Sequence, residues 1–354
     1  MARRARPVRP HTPHLRAFIP LYALFIAFGS LHPYSGWDSL ALWSLDFLSA
    51  PWPRFITRTD LATNLLVYAP MGYALALWFS APGHRSRGVF FGALVAASLS
   101  LSLESLQQLL PGRIASNLDV LVNSLGGLTG ALLALHHGRW IRAGHAAGRW
   151  REHWFTPGAL TNLGLALLAL WFLSQFSLLP TPGIGWLHLH LRPIDKPPDS
   201  LSGVNTAWLL ALFLEISAVG AFTACLLRPG RYVGAMSLLL VSAFFAKLLT
   251  ATVLLKLSAL GGVVSLETLG AFLLAFWLLL LPSVSRRRHL AAMAGVGGLI
   301  AVRAAFSKSL LPSISALNIT GLSFYLGAVW PVLALAWLAL YARRERKASA
   351  PPSD

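Results

Sequence analysis

The chain is 354 residues long, 56% hydrophobic and only 12% charged, with a formal net charge of +17, whereas a soluble domain carries roughly a quarter charged residues. A water-soluble fold is thereby excluded, and so is a nucleic-acid binder, because the basic residues lie between apolar runs instead of on one soluble face. The single cysteine, Cys225, falls inside an apolar stretch, so neither an intrachain disulfide nor a thiolate metal cluster is available, and a small buried apolar role is expected.

Residues 1–16 carry five arginines ahead of an apolar run from Ala17 to Leu31. They read as a basic cytoplasmic amino terminus and an uncleaved signal anchor, because the run approaches spanning length and no clean Ala-x-Ala site follows. About twenty mainly apolar residues cross ~30 Å of hydrocarbon as a helix. Such runs occur at 15–32, 61–81, 88–110 and 118–137, then at 159–180, 204–227, 231–255, 260–282, 289–306 and 322–341, the ninth being the weakest. Ten helices result, an all-α polytopic bundle. Between the first two spans, Ser39 to Phe55 holds Trp43, Trp52, Pro51 and Pro53 among leucines. It is too broken to span and too apolar to be solvated, so it is expected along the membrane interface.

Cytoplasmic loops keep the excess of Lys and Arg. One set of alternate loops holds Arg3, Arg4, Arg6, Arg9, Arg16, Arg85, Arg87, the arginines of 139–151, Arg228, Arg231, Arg286 to Arg288 and the tail from Arg343 to Lys347, which is 20 of the 29 basic residues. The other set holds Arg54, Arg58, Arg113, Arg192, Lys196, Lys256, Arg303 and Lys308, with Lys247 left inside a span. Both termini are therefore expected in the cytoplasm. The organisation that follows is a basic amino terminus (1–16), a four-helix block (17–138), a basic cytoplasmic loop (139–158), a six-helix block (159–342) and a basic tail (343–354). A faint internal echo, LESLQ, LEISA and LETLG around Glu104, Glu215 and Glu267, is read as chance.

Charged groups inside spans cost ~2.5–3.5 kcal/mol on insertion scales, so each calls for a reason. The first block concentrates them. Helix two opens Asp60-x-x-x-Asn64, with both side chains on one face. Helix three closes with Glu104, Gln107 and Gln108, which share a face, ahead of Pro111-Gly112-Arg113. Glu104 sits about two turns, roughly 10 Å, below that turn and must be paired or protonated. Helix four opens Asp119-x-x-x-Asn123 and continues through Gly126, Gly127 and Gly130, small residues that permit close helix approach or a dimer. Asp119 stands where the helix dipole favours an anion. Arg113 is the one strong cation of the hairpin, with Glu104, Asp119 and Asp60 as candidate partners. By the charge count these groups gather on the extracytoplasmic side.

These motifs, DLATNLLVYAPMGY at 60–73, Glu104-x-x-Gln107 with Pro111-Gly112-Arg113, and Asp119-x-x-x-Asn123-x-x-Gly126-x-x-x-Gly130, resemble the VanZ-like family of bacterial membrane proteins over about residues 20–137. The resemblance implies a four-to-five-helix membrane domain and a link to low-level resistance to teicoplanin, a lipoglycopeptide acting on cell-wall precursors. It does not reach the last six helices.

Three readings of the patch compete: a hydrogen-bonded network that locks the helices, a binding site for an anionic envelope component at Arg113, and an enzyme with Glu104 or Asp119 as base. No Ser-His-Asp order, phosphate loop or paired metal ligands support the enzyme. The function expected is an inner-membrane protein that binds or handles an outer-leaflet lipid or lipid-linked cell-wall component. A transporter using Glu215, Lys247 or Glu267 and a membrane enzyme are the alternatives. No cofactor or metal is implied; the partners expected are membrane lipids and an anionic lipid-linked precursor, and no nucleic acid. His188-x-His190 near Arg192 and Asp195 is weak evidence for a metal. His136 and His137 at the end of helix four suit a helix C-terminus, and Trp and Tyr near span ends read as interface anchors.

Overall fold

The computed structural model describes residues 12–32, 34–39, 43–54, 56–80, 84–110, 113–176, 206–254, 266–306 and 319–348. The named elements are α1 Thr12–Ser30, a 3-10 turn Asp46–Leu48, α2 Arg58–Phe79, α3 Arg85–Gln107, α4 Asn117–Ala134 and α5 His137–Trp154. They continue as α6 Ala159–Ser174, α7 Thr206–Leu226, α8 Tyr232–Leu254, α9 Leu266–Leu280, the short α10 Pro282–Arg286, α11 Arg288–Phe306 and α12 Ile319–Ala348.

Every predicted span carries a helix. Among the described residues, five stretches are long and apolar enough to cross a membrane: Arg58–Phe79, Arg85–Gln107, Asn117–Ala134, Leu209–Leu226 and Leu322–Glu345. His14–Ser30, Ala159–Ser174, Tyr232–Ala246 and Leu266–Leu280 are shorter apolar helices. The protein is a helical membrane protein.

Two elements differ from the sequence reading. Residues 139–158, expected as a loop, are mostly helix, because α5 starts at His137 and runs to Trp154. Its Arg139, Arg142, Arg149 and Arg151 are good helix formers, and the apolar period that signals a span is missing, which is why the stretch reads as a loop. Likewise α12 does not stop with its apolar run but continues through Arg343, Arg344, Arg346 and Lys347 to Ala348. Basic residues there complement the negative end of the helix dipole.

The chain divides into two compact units, Met1–Gly144 and His145–Asp354. In the first unit α2 lies against α3 and α4, and α1 closes over α2 and α3. The crossing of α2 and α4 is built on glycine. A Cβ on Gly130 would lie 1.8 Å from the carbonyl oxygen of Ala69, and one on Gly126 would lie 2.4 Å from that of Leu65. No side chain fits there. The Gly126-x-x-x-Gly130 stripe therefore packs against α2 within one chain. A small apolar core of Ile26, Tyr68, Met71, Leu75, Ala96 and Leu103 fills the rest.

In the second unit α7 is the central helix, packed by α9 and α11, while α6 and α11 pack against α12. Its core is aromatic. Phe222 lies 4.7 Å from Trp337 and 5.8 Å from Trp330, centroid to centroid. The two indole N–H groups donate to backbone oxygens of α6, Trp330 to Leu167 at 2.9 Å and Trp337 to Leu160 at 2.8 Å, so neither is buried without an acceptor. Cys225 is a buried free thiol in this core.

Candidate functional site

The site begins with two helix starts of the same design. Thr57-Arg58-Thr59-Asp60 and Ser116-Asn117-Leu118-Asp119 both have the Ser/Thr-x-x-Asp pattern of an N-terminal cap. In α2 the Asp60 N–H donates to Thr57 Oγ1 at 3.1 Å, and the Thr57 hydroxyl donates back to Asp60 Oδ2 at 2.5 Å. In α4 the Asp119 N–H likewise donates to Ser116 Oγ at 3.3 Å. There the symmetry ends.

The Asp119 carboxylate turns away from its own cap and accepts from Asn64 Nδ2 of α2 at 2.9 Å. The cap's own backbone N–H, on Ser116, is taken instead by Glu104 Oε2 of α3 at 3.1 Å. Glu104 is only 5% exposed. A buried carboxylate is thus matched to an orphan N–H at the positive end of a helix, which removes the need for an ion pair. One turn further along α4, Asn123 Nδ2 donates to Ser100 Oγ of α3 at 3.0 Å, while Asn123 Oδ1 is buried with no hydrogen-bond partner among the described residues. The buried Tyr68 lies close to Ser100, with Glu104 and Asp119 in electrostatic range.

Gln107 and Gln108 diverge from Glu104. Gln107 Nε2 reaches the carbonyl of Ser30 at the end of α1, 2.9 Å away, and Gln108 Nε2 reaches that of Ser44 at 2.8 Å. Asn117 Nδ2 adds a bond to the carbonyl of Ala50 at 2.6 Å. Together they fasten the segment that contains the 3-10 turn over the ends of α3 and α4. That segment keeps Trp37, Trp43, Leu45, Leu48 and Trp52 exposed, as anchors in a bilayer interface must be.

Arg113 is the main correction. None of its candidate carboxylates pairs with it: among the described residues no carboxylate lies within salt-bridge distance of its guanidinium. Nε donates to the carbonyl of His32 at 3.1 Å and Nη2 to that of Gly29 at 3.5 Å. The guanidinium therefore caps the C-terminal end of α1, where unpaired carbonyls and the helix dipole favour a cation. Glu104 and Asp119 are already committed to the start of α4, and Asp60 is exposed within its own cap. The next residue, Ile114, is 87% exposed.

One family comparison bears on the first unit. Residues 8–142 match the VanZ/LLP1 family model. No curated protein and no solved structure matches the chain. The VanZ-like match covers the whole polar constellation, ends inside α5, and leaves the α6–α12 block outside it.

The sequence reading missed Ser100, Ser116 and Thr57, all partners in the VanZ-like site. The Ser/Thr-x-x-Asp pattern identifies the two caps; Ser100 has no local signal, since only the packing of α3 on α4 brings it to Asn123. At the other end of this unit, His137 Nδ1 lies 2.7 Å from the Tyr73 hydroxyl. In the second unit Glu215 Oε1 accepts from the Trp171 indole at 3.2 Å, and Glu267 is fully buried. The side chain of Lys247 and all of His188, His190, Arg192 and Asp195 lie outside the described residues. No group of three or more His, Cys, Asp or Glu side chains suited to a metal occurs among those described.

Proposed function

We propose that this is a multi-pass protein of the bacterial inner membrane whose VanZ-like unit binds the anionic head group of an outer-leaflet lipid or lipid-linked cell-wall precursor at Arg113. The observation that carries the reading is the partner set of that guanidinium: two carbonyls and, among the described residues, no carboxylate. Its charge is oriented by the carbonyls, with Glu104 in electrostatic range but not in contact. The planar fork suits a phosphate or carboxylate, and the side chain is partly exposed. Exposed Ile114 follows it in the chain, and the fastened segment carries exposed Trp37, Trp43 and Trp52, all at home in an interface.

Asn64, Glu104, Asp119 and Asn123 then serve as scaffold. They hold α2, α3 and α4 in register so that the arginine and the fastened segment keep their places. The excess of basic residues in alternate loops supports the extracytoplasmic placement of this end and cytoplasmic termini. Glycopeptide resistance is the matching phenotype, since such antibiotics act on a lipid-linked precursor.

The test is mass spectrometry of lipids retained by the purified full chain. Wild type retains one anionic species selectively, Arg113→Lys retains less of it, and Arg113→Ala loses it. An identical lipid profile in all three proteins overturns the proposal. A cysteine at position 113 that is labelled only from the cytosolic side overturns it as well.

A further inference from the structure

The charge count groups Arg303 with the outer set, at the end of the span 289–306. It stands in the last turn of α11 and is only 7% exposed. Its Nη1 donates to the carbonyl oxygen of Gly327 in α12 at 2.9 Å. That oxygen is available for a covalent reason. In an α-helix it would accept the N–H of residue 331, and residue 331 is proline, which has none. Arg303 thus satisfies a carbonyl that Pro331 sets free.

This accounts for one donor of the guanidinium but not for the charge. A hydroxyl or a water satisfies a proline-freed carbonyl equally well, and an arginine within a span costs ~2.5–3.5 kcal/mol on insertion scales. Nε of Arg303 is buried with no acceptor among the described residues. Among the described residues no carboxylate lies within salt-bridge distance of it. Glu215 on α7 is in electrostatic range, but its carboxylate is held by the Trp171 indole of α6. Ser174 and Gln175, both buried, close the end of α6 beside the same place, with Ser174 Cβ 3.3 Å from where a Cβ on Gly327 would sit.

We infer that Arg303, with Glu215, Ser174 and Gln175 around it, forms an oxyanion-binding site in the second unit, taking a carboxylate or phosphate group against the unused Nε edge. Four helices, α6, α7, α11 and α12, converge on it. A proline-interrupted helix with freed backbone at membrane depth is an arrangement that suits polar ligands. Ser174 Oγ and Gln175 Nε2 both donate to the carbonyl oxygen of Trp171, at 2.6 and 3.3 Å, so these two residues wall the site and the guanidinium remains its donor. Glu215 acts as the resident negative charge against which the ligand must compete. The site is separate from Arg113 and does not rest on the reading proposed for it.

The test is thermal unfolding of the detergent-purified full chain carrying Arg113→Ala, which removes the anion site proposed there, titrated with inorganic phosphate, with acetate and with phosphatidylglycerol. This protein shows a saturable rise in Tm with at least one probe. Response to phosphate or acetate marks a soluble anion, and response to phosphatidylglycerol alone marks a lipid head group. Arg303→Gln abolishes the rise, and Arg303→Lys, which keeps the charge without the fork, weakens it roughly tenfold. Glu215→Gln tightens binding roughly tenfold by removing the competing charge. If Arg303→Gln does not fold, the sign of the Glu215→Gln effect decides alone. No saturable shift with any probe, an equal shift in Arg303→Gln, or weaker binding in Glu215→Gln overturns the inference.

Discussion

In the VanZ-like unit a Cβ on Gly130 would press on backbone, 1.8 Å from the carbonyl oxygen of Ala69, whereas in the second unit a Cβ on Gly220 would meet the far end of Leu279, 2.3 Å away. The first unit therefore packs backbone against backbone and is tied by side-chain hydrogen bonds between helices. The second packs large side chains, Trp330, Trp337 and Phe222, and its polar ties include two indole N–H groups and the carbonyl freed by Pro331. The lesson concerns tolerance. A flexible side chain can rotate away from an added methyl group, and a helix backbone can only move as a whole.

Substitutions at matched positions break or sharpen this contrast. The largest effect is expected from Gly130→Ala, whose methyl group would lie 1.8 Å from the carbonyl oxygen of Ala69 and force α2 and α4 apart; it should cost at least about 3 kcal/mol and leave no monodisperse protein in detergent. Gly220→Ala should cost about 1 kcal/mol or less by thermal unfolding. Equal losses at the two positions would end the distinction.

Next comes Trp337→Ala in the second unit. Loss of a buried aromatic at a centroid distance of 4.7 Å from Phe222, together with its bond to Leu160, should cost about 3–5 kcal/mol. Trp43→Ala in the exposed segment of the first unit should stay within about 0.5 kcal/mol. A large loss at Trp43 would show that the fastened segment contributes to the core.

Glu104→Ala removes the acceptor of the Ser116 N–H and should cost about 1–3 kcal/mol, whereas Glu104→Gln retains an oxygen there and should cost less. Chemical-denaturant midpoints of the two variants settle the order. If Gln is as damaging as Ala, the charge matters and not the cap.

The smallest expected effect is the coupling between Asn64 and Asp119. Polar contacts between membrane helices average ~0.6 kcal/mol and reach ~1.7, so a double-mutant cycle with Asn64→Ala and Asp119→Ala should return a value in that range. A coupling near zero would make the observed bond incidental to the α2–α4 contact.

The helical membrane class, the ten apolar runs and the polar starts of α2 and α4 were all legible along the chain, because hydrophobicity and cap chemistry act between residues close in sequence. Gly126 and Gly130 were legible as a packing stripe, but not that α2 is their partner. The helical state of 139–154 was not, since a helix rich in arginine and glycine lacks the apolar period that reveals spans.

Charge pairing belonged to the tertiary structure alone. Opposite charges near one another along the chain, Arg113 with Glu104 and Asp119, suggested an ion pair, yet the guanidinium caps α1 and the carboxylates serve the start of α4. Arg303 counted only as a cation of the outer set until the path of α11 brought it to the carbonyl freed by Pro331. Sequence fixes which groups need a partner. Which partner they take depends on where unpaired backbone ends and proline-freed carbonyls arrive in space, and that is set by the packing of helices far apart in the chain.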